Sequence, residues 1–143
     1  MADAPPRAVV VDDNLMFAMM VEPVLKRLGY HATTLPGNPT TAEEVAALAP
    51  EVVFVNLTSS RYSGADLVRD LRSRPALAKT GIVGYAGHVE RHFFQAGRDA
   101  GADLVVPNSA IRAAIPQVLE KLKRRLSGAP VEEWPEGDEG VKG

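Results

Sequence analysis

Two adjacent carboxylates, Asp12 and Asp13, follow directly on the apolar run Ala8-Val9-Val10-Val11. Acids at the end of a buried strand can hold a hard cation such as Mg²⁺, weakly here, or cap the helix that follows. Three more apolar runs have comparable ends: Asn56 after Val52–Val55, Ala86-Gly87 after Gly81–Tyr85, and Asn108 after Leu104–Pro107. Other chemistry-bearing types lack partners. His88 and His92 stand at a metal-binding helical spacing, but no third ligand is placed by sequence, and a solvated helix face is the simpler reading. Ser59, Ser60 and Ser63 have no partnering His by motif. Gly81, Gly84 and Gly87 form no phosphate-binding loop. Asn56-Leu57-Thr58 spells a glycosylation triplet, read as chance at a buried strand end.

The elements that must position these residues alternate along the chain. Continuous Val-rich runs suit strands buried on both faces, as in a parallel sheet. Tyr30 to Leu35 is a more polar candidate for an edge strand. Between the strands lie helical patterns. Residues 14–28 carry Phe17, Val21, Val24, Leu25 and Leu28, stop at Gly29 and contain Pro23, which should kink them. Thr40 and Thr41 followed by Glu43 and Glu44 make overlapping capping boxes ahead of a short helix. Leu67, Val68 and Leu71 mark a third helix from near Gly64. Val89, Phe93, Ala96 and Ala100 mark the inward face of a fourth, closed by Gly101. A last helical pattern runs from about Ser109 to Leu126, interrupted by Pro116. Its basic end (Lys121, Lys123, Arg124, Arg125) complements the helix dipole. Alternating strand and helix mean βα units, a parallel sheet and helices on both faces, with function at the carboxyl ends of the strands.

Composition narrows the classes further. The chain has 143 residues, 45% hydrophobic and 24% charged, which is one domain's worth of core. Cys is absent, which excludes thiol catalysis, disulfides and Cys-zinc sites. No apolar run approaches a membrane span and no secretory signal is visible, so a cytoplasmic location is expected. The net charge of −2 gives no global attraction to nucleic acid or membrane. It divides into about +2 on the body and −4 on residues 127–143, where five acids face one Lys142. That Gly- and Pro-rich tail reads as mostly disordered, with Val131 and Trp134 as apolar anchors. The organisation read is an extension over residues 1–6, one domain over 7–126 and the acidic tail over 127–143.

At this point the sequence resembles the receiver domains of bacterial response regulators, the family of the chemotaxis response regulator. VVVDDN resembles the family's first strand and acidic pair. PEVVFVNLTSSRYSGADLVRDLR resembles the third strand and its loop, with Pro50, Leu57, Gly64 and Leu67 where that pattern has them. GADLVVPNS resembles the fifth strand. The likeness covers roughly residues 7–126. It implies a single-domain (βα)5 doubly wound parallel sheet, flavodoxin-like, of strand order 2-1-3-4-5. It also implies phosphoryl transfer to an aspartate, aided by Mg²⁺, a lysine and a hydroxyl, and sensed by an aromatic on the fifth strand.

This chain departs from that set nearly everywhere. Asn56 stands at the acceptor position, Ala86 at the hydroxyl, Asn108 at the lysine and Val105 at the aromatic. Ser60 and Ser109 replace two prolines. Asp12 and Asp13 remain, and by resemblance the carbonyl of Thr58 would be their third metal contact, with one carboxylate missing. Adjacent Asp12-Asp13 also lacks the Asp-x-Asp spacing of haloacid-dehalogenase-type phosphohydrolases. The losses agree with one another: without phosphate, nothing need bind or sense it. The expectation is a degenerate receiver that turns over no substrate and acts on a protein partner of a signalling pathway. The alternative is a metal- or phosphate-responsive receiver still using Asp12 and Asp13. No nucleic-acid or membrane contact is expected. Self-association would use the fourth helix, fifth strand and fifth helix. There Phe94, expected to face outward beside Arg91 and Arg98, is the contact candidate; the competing reading packs it against a neighbouring helix.

Overall fold

A computed structural model describes residues 4–87 and 90–134. Five strands form one parallel sheet: β1 (Arg7–Val11), β2 (His31–Leu35), β3 (Val52–Asn56), β4 (Gly81–Ala86) and β5 (Leu104–Pro107), in the order β2-β1-β3-β4-β5. The helices are α1 (Leu15–Arg27), α2 (Thr41–Leu48), α3 (Gly64–Ser73), α4 (Arg91–Ala100), α5 (Asn108–Ala113) and α6 (Ile115–Leu126). The fold is thus the doubly wound α/β class with strand order 2-1-3-4-5, as expected.

Side-chain alternation along the strands builds two cores. Val10, Phe54, Tyr85 and Val106 face α1, α5 and α6. Val9, Val11, Val55, Ile82 and Val105 face α2, α3 and α4. The run Ala8–Val11 is fully buried because each face of its strand meets a helix layer. The edge strand β2 is half-buried, consistent with its more polar sequence.

Local signals set the helix ends. Asn14 caps α1 by accepting from the Phe17 N–H at 3.2 Å. Pro23 sits inside α1. Ser63 caps α3 by accepting from the Asp66 N–H at 3.2 Å. The last helical pattern divides in two ahead of Pro116, with Ala114 (φ −141°) between α5 and α6. The overlapping capping boxes are not made. Thr41 lies buried inside α2, its hydroxyl accepts from the Asn38 N–H at 2.8 Å, and Asn38 Oδ1 accepts from the Thr40 N–H at 2.9 Å.

The outward Phe94 is overturned. Phe94 is 0% exposed and belongs to the core under α4, while Phe93 is only half-buried. The helix begins at Arg91, and its closest face carries Phe94, Gly97 and Ala100. A Cβ at Gly97 would lie 2.8 Å from Leu57 Cδ1 and 3.2 Å from Val105 Cγ2. The bare backbone at Gly97 therefore decides which face meets the sheet, and it brings Phe94 inward. His88 and Val89 lie outside the described residues. His92 is exposed, with its ring 4.1 Å from that of Phe93.

Candidate functional site

The register of the sheet gathers the strand ends. Val11 pairs with Val55, Asn56 with Tyr85, and Ala86 with Pro107. Parallel neighbours in register point the same way, so Asn56 and Tyr85 share the α1 side with the residue that follows β1, Asp12. A small pocket of about 140 Å³ results, lined by Asp12, Asn14, Phe17, Asn56, Thr58, Tyr85 and Asn108.

Asp12 is its centre and is 1% exposed. A carboxylate so placed needs several donors to offset lost hydration. It has three. Oδ1 accepts from the Asn14 N–H at 2.8 Å and from Asn56 Nδ2 at 3.1 Å, and Oδ2 accepts from the Tyr85 hydroxyl at 2.7 Å. The Asn56 amide uses its other end as well. Its Oδ1 accepts from the Thr58 N–H and the Thr58 hydroxyl, both at 2.9 Å. The donor side thus faces Asp12 and the acceptor side faces the loop, an orientation the two partners fix together.

A second tyrosine closes the loop from below. The Tyr62 hydroxyl lies 3.0 Å from the Val11 carbonyl and 3.1 Å from the Asn56 carbonyl, and its one proton is shared between them. It ties the ends of β1 and β3 together. Burial, with the charges of Asp12 and Asp13 added, pushes the Tyr62 phenol far above its ordinary range. Burial acts on Tyr85 likewise, followed by the charge and hydrogen bond of Asp12. Both phenols therefore stay neutral donors. The Tyr85 ring also stacks on Phe17 at 5.4 Å. α3 approaches closely on the other side: a Cβ at Gly64 would lie 2.6 Å from Leu57 Cα and 2.7 Å from the Asn56 carbonyl oxygen.

Of the residues singled out in the sequence, Asp12, Asn56, Thr58 and Asn108 line this pocket. Asn108 opens α5, and its Oδ1 is buried with no hydrogen-bond partner among the described residues. Asp13 points elsewhere, 3.6 Å from Arg61 Nε. Ala86 and Val105 are fully buried in the opposite core, among the side chains under α2, α3 and α4. Tyr85 and Tyr62 escaped the sequence reading. The available signal was a hydroxyl inside an apolar strand, since a buried Tyr must find a partner for its O–H.

The pocket does not suit Mg²⁺. That ion needs oxygen ligands directed at it in near-octahedral array. Both oxygens of Asp12 are already engaged, the neighbouring amide presents N–H to it, and Asp13 pairs with a guanidinium. Among the described residues, no three His, Asp or Glu side chains converge.

No known protein-family model matches the sequence. The fold matches solved structures. A response regulator protein from Burkholderia pseudomallei, with a phosphorylated aspartic acid, calcium ion and citrate, aligns with a TM-score of 0.73 at 22% identity, over 86% of this chain and 69% of that one. A response regulator receiver domain from Bermanella marisrubri aligns at 0.72 and 22% identity, over 82% of this chain and 97% of that one. A chemotaxis response regulator from Vibrio cholerae aligns at 0.70 and 16% identity, over 82% and 98%. The chain therefore has the receiver fold.

Proposed function

We propose that this receiver fold is a signalling module that works by protein contact without being phosphorylated. The observation that carries the reading is the state of Asn56. At the strand end where the resembled family has its acceptor carboxylate, this chain has a neutral amide with both ends hydrogen-bonded inside the fold. An amide has no anionic oxygen to attack phosphorus. The lysine position, Asn108, brings no cation to a transferred phosphoryl group.

Contact with a protein is also favoured by the surface. Leu15, Met16, Met19 and Met20 of α1 are 59%, 78%, 71% and 53% exposed. Grouped apolar side chains of this kind mark recognition surfaces, and Met adapts its shape readily. Among the described residues no helix is long and apolar enough to cross a membrane.

Thermal unfolding in Mg²⁺ with a small phosphodonor tests the reading against the metal-responsive alternative. A ligand that binds the native state raises the unfolding temperature. The wild type is expected to melt at the same temperature with and without both additions. A rise that depends on Mg²⁺ and is lost in Asp12→Asn would favour the alternative.

A further inference from the structure

Residues 127–134, the start of the tail expected from its composition to be mostly disordered, turn back onto the body. Gly128 takes φ +89°, open to glycine but strained for other residues. The Gly128 N–H donates to the Arg125 carbonyl at 3.0 Å and the Ala129 N–H to the Arg124 carbonyl at 3.1 Å, a closure that reverses the chain at the end of α6. The segment then runs back beside α6. Arg125 Nη2 donates to the Val131 carbonyl at 2.8 Å, and Nη1 to Glu133 Oε2 at 3.1 Å. Arg98 Nε of α4 lies 3.4 Å from Glu133 Oε1. The Lys121 ammonium lies 5.2 Å from the centre of the Trp134 ring, which packs on the α1, α5 and α6 core.

The contact has three parts of different chemistry: a carboxylate between two guanidiniums, a backbone carbonyl on the same Arg125, and an indole under an ammonium. Arg125 is itself positioned, because Nη1 also donates to the Asp103 carbonyl at 3.2 Å. With the tail seated on them, Arg98 and Arg125 are 20% and 27% exposed. A pair of half-buried guanidiniums beside an aromatic seat matches one kind of ligand, an extended acidic segment with an aromatic next to a glutamate.

We propose that the α4–α6 face around Arg98, Lys121 and Arg125 is a docking site for such an acidic, aromatic-bearing segment of another protein. The chain's own Val131–Trp134 occupies that site as a tethered competitor. The partner engages only by displacing the tail, whose short tether gives it an effective concentration in the millimolar range. The inference goes beyond the function proposed above and is independent of it, since the contact stands whatever happens at Asn56.

Trp134 is the one tryptophan of the chain and reports the contact directly. In the 143-residue chain its emission should be blue-shifted and shielded from a soluble quencher. It should become solvent-like in Glu133→Gln or at high salt, which screens ion pairs, while circular dichroism stays unchanged. The docking site is probed with a labelled peptide of the chain's own sequence 129–143. The peptide should bind the Glu133→Gln chain about fivefold or more tighter than wild type, because the tethered competitor is weakened. Adding Arg98→Ala and Arg125→Ala to that chain should abolish binding. Equal binding to wild type and Glu133→Gln, or binding to neither, would overturn the proposal. So would shielding of Trp134 that develops only as protein concentration rises, since that would place the tail on a second copy.

Discussion

At the level of residues, the pocket trades one chemistry for another. A buried Asp12 ordinarily demands a cation or strong donors, and here three neutral donors do the work. Tyr85→Phe tests this with the ring kept and one donor removed. It should cost about 1–3 kcal/mol by chemical denaturation, because Asp12 Oδ2 loses its partner inside the protein. Loss of less than a few tenths would mean that the hydroxyl is not supporting Asp12. Asp12, Asn56 and Asn108 were legible as site residues because each ends an apolar run, and parallel strands bring their carboxyl ends together. Tyr85 was not, because it reads as one more large residue in the run Gly81–Ala86. Which hydroxyl meets which carboxylate depends on the pairing of β3 with β4, and the register is a property of two distant segments.

Among the elements, α4 shows where periodicity misleads. Counting Val89, Phe93, Ala96 and Ala100 gives a plausible apolar stripe, and counting Phe94, Gly97 and Ala100 gives another. Apolarity does not separate them; closeness of approach does, and Gly97 supplies it by leaving room for Leu57 and Val105. Phe94→Ala should therefore lower stability by about 3–5 kcal/mol, the cost of emptying a large buried site. An unchanged melting temperature with altered self-association would instead restore Phe94 to the surface. The strands were far easier to read. Val-rich runs buried on both faces leave little choice of structure, and the expected sheet order is the one found. The split between α5 and α6 was visible in Pro116, whereas the Asn38 turn that leads into α2 was hidden because Asn38 lies outside the Thr-Glu pattern.

For the molecule as a whole, all three tyrosines of the chain sit where ionisation is disfavoured. Burial, with the charge and hydrogen bond of Glu51, pushes Tyr30 from 10.0 up to about 12. Tyr62 is held higher still, and Tyr85 is held well above its ordinary range. Each loses its proton later in the folded chain than in the unfolded one. Their contribution to stability is thus complete below pH 10 and falls away as pH rises through 12 and beyond. Tyrosinate absorbance should stay low through pH 10 to 11 and then climb together with unfolding. A smooth titration near pH 10 in the folded protein would contradict the hydroxyl network. The most direct test of the central reading is the intact mass of the whole chain after incubation with Mg²⁺ and a small phosphodonor, with Asn56→Asp beside it. The expected wild-type result is a single unmodified mass, whether or not Asn56→Asp gains a phosphoryl group. A phosphoryl adduct on the wild type, mapped to the pocket, would contradict it.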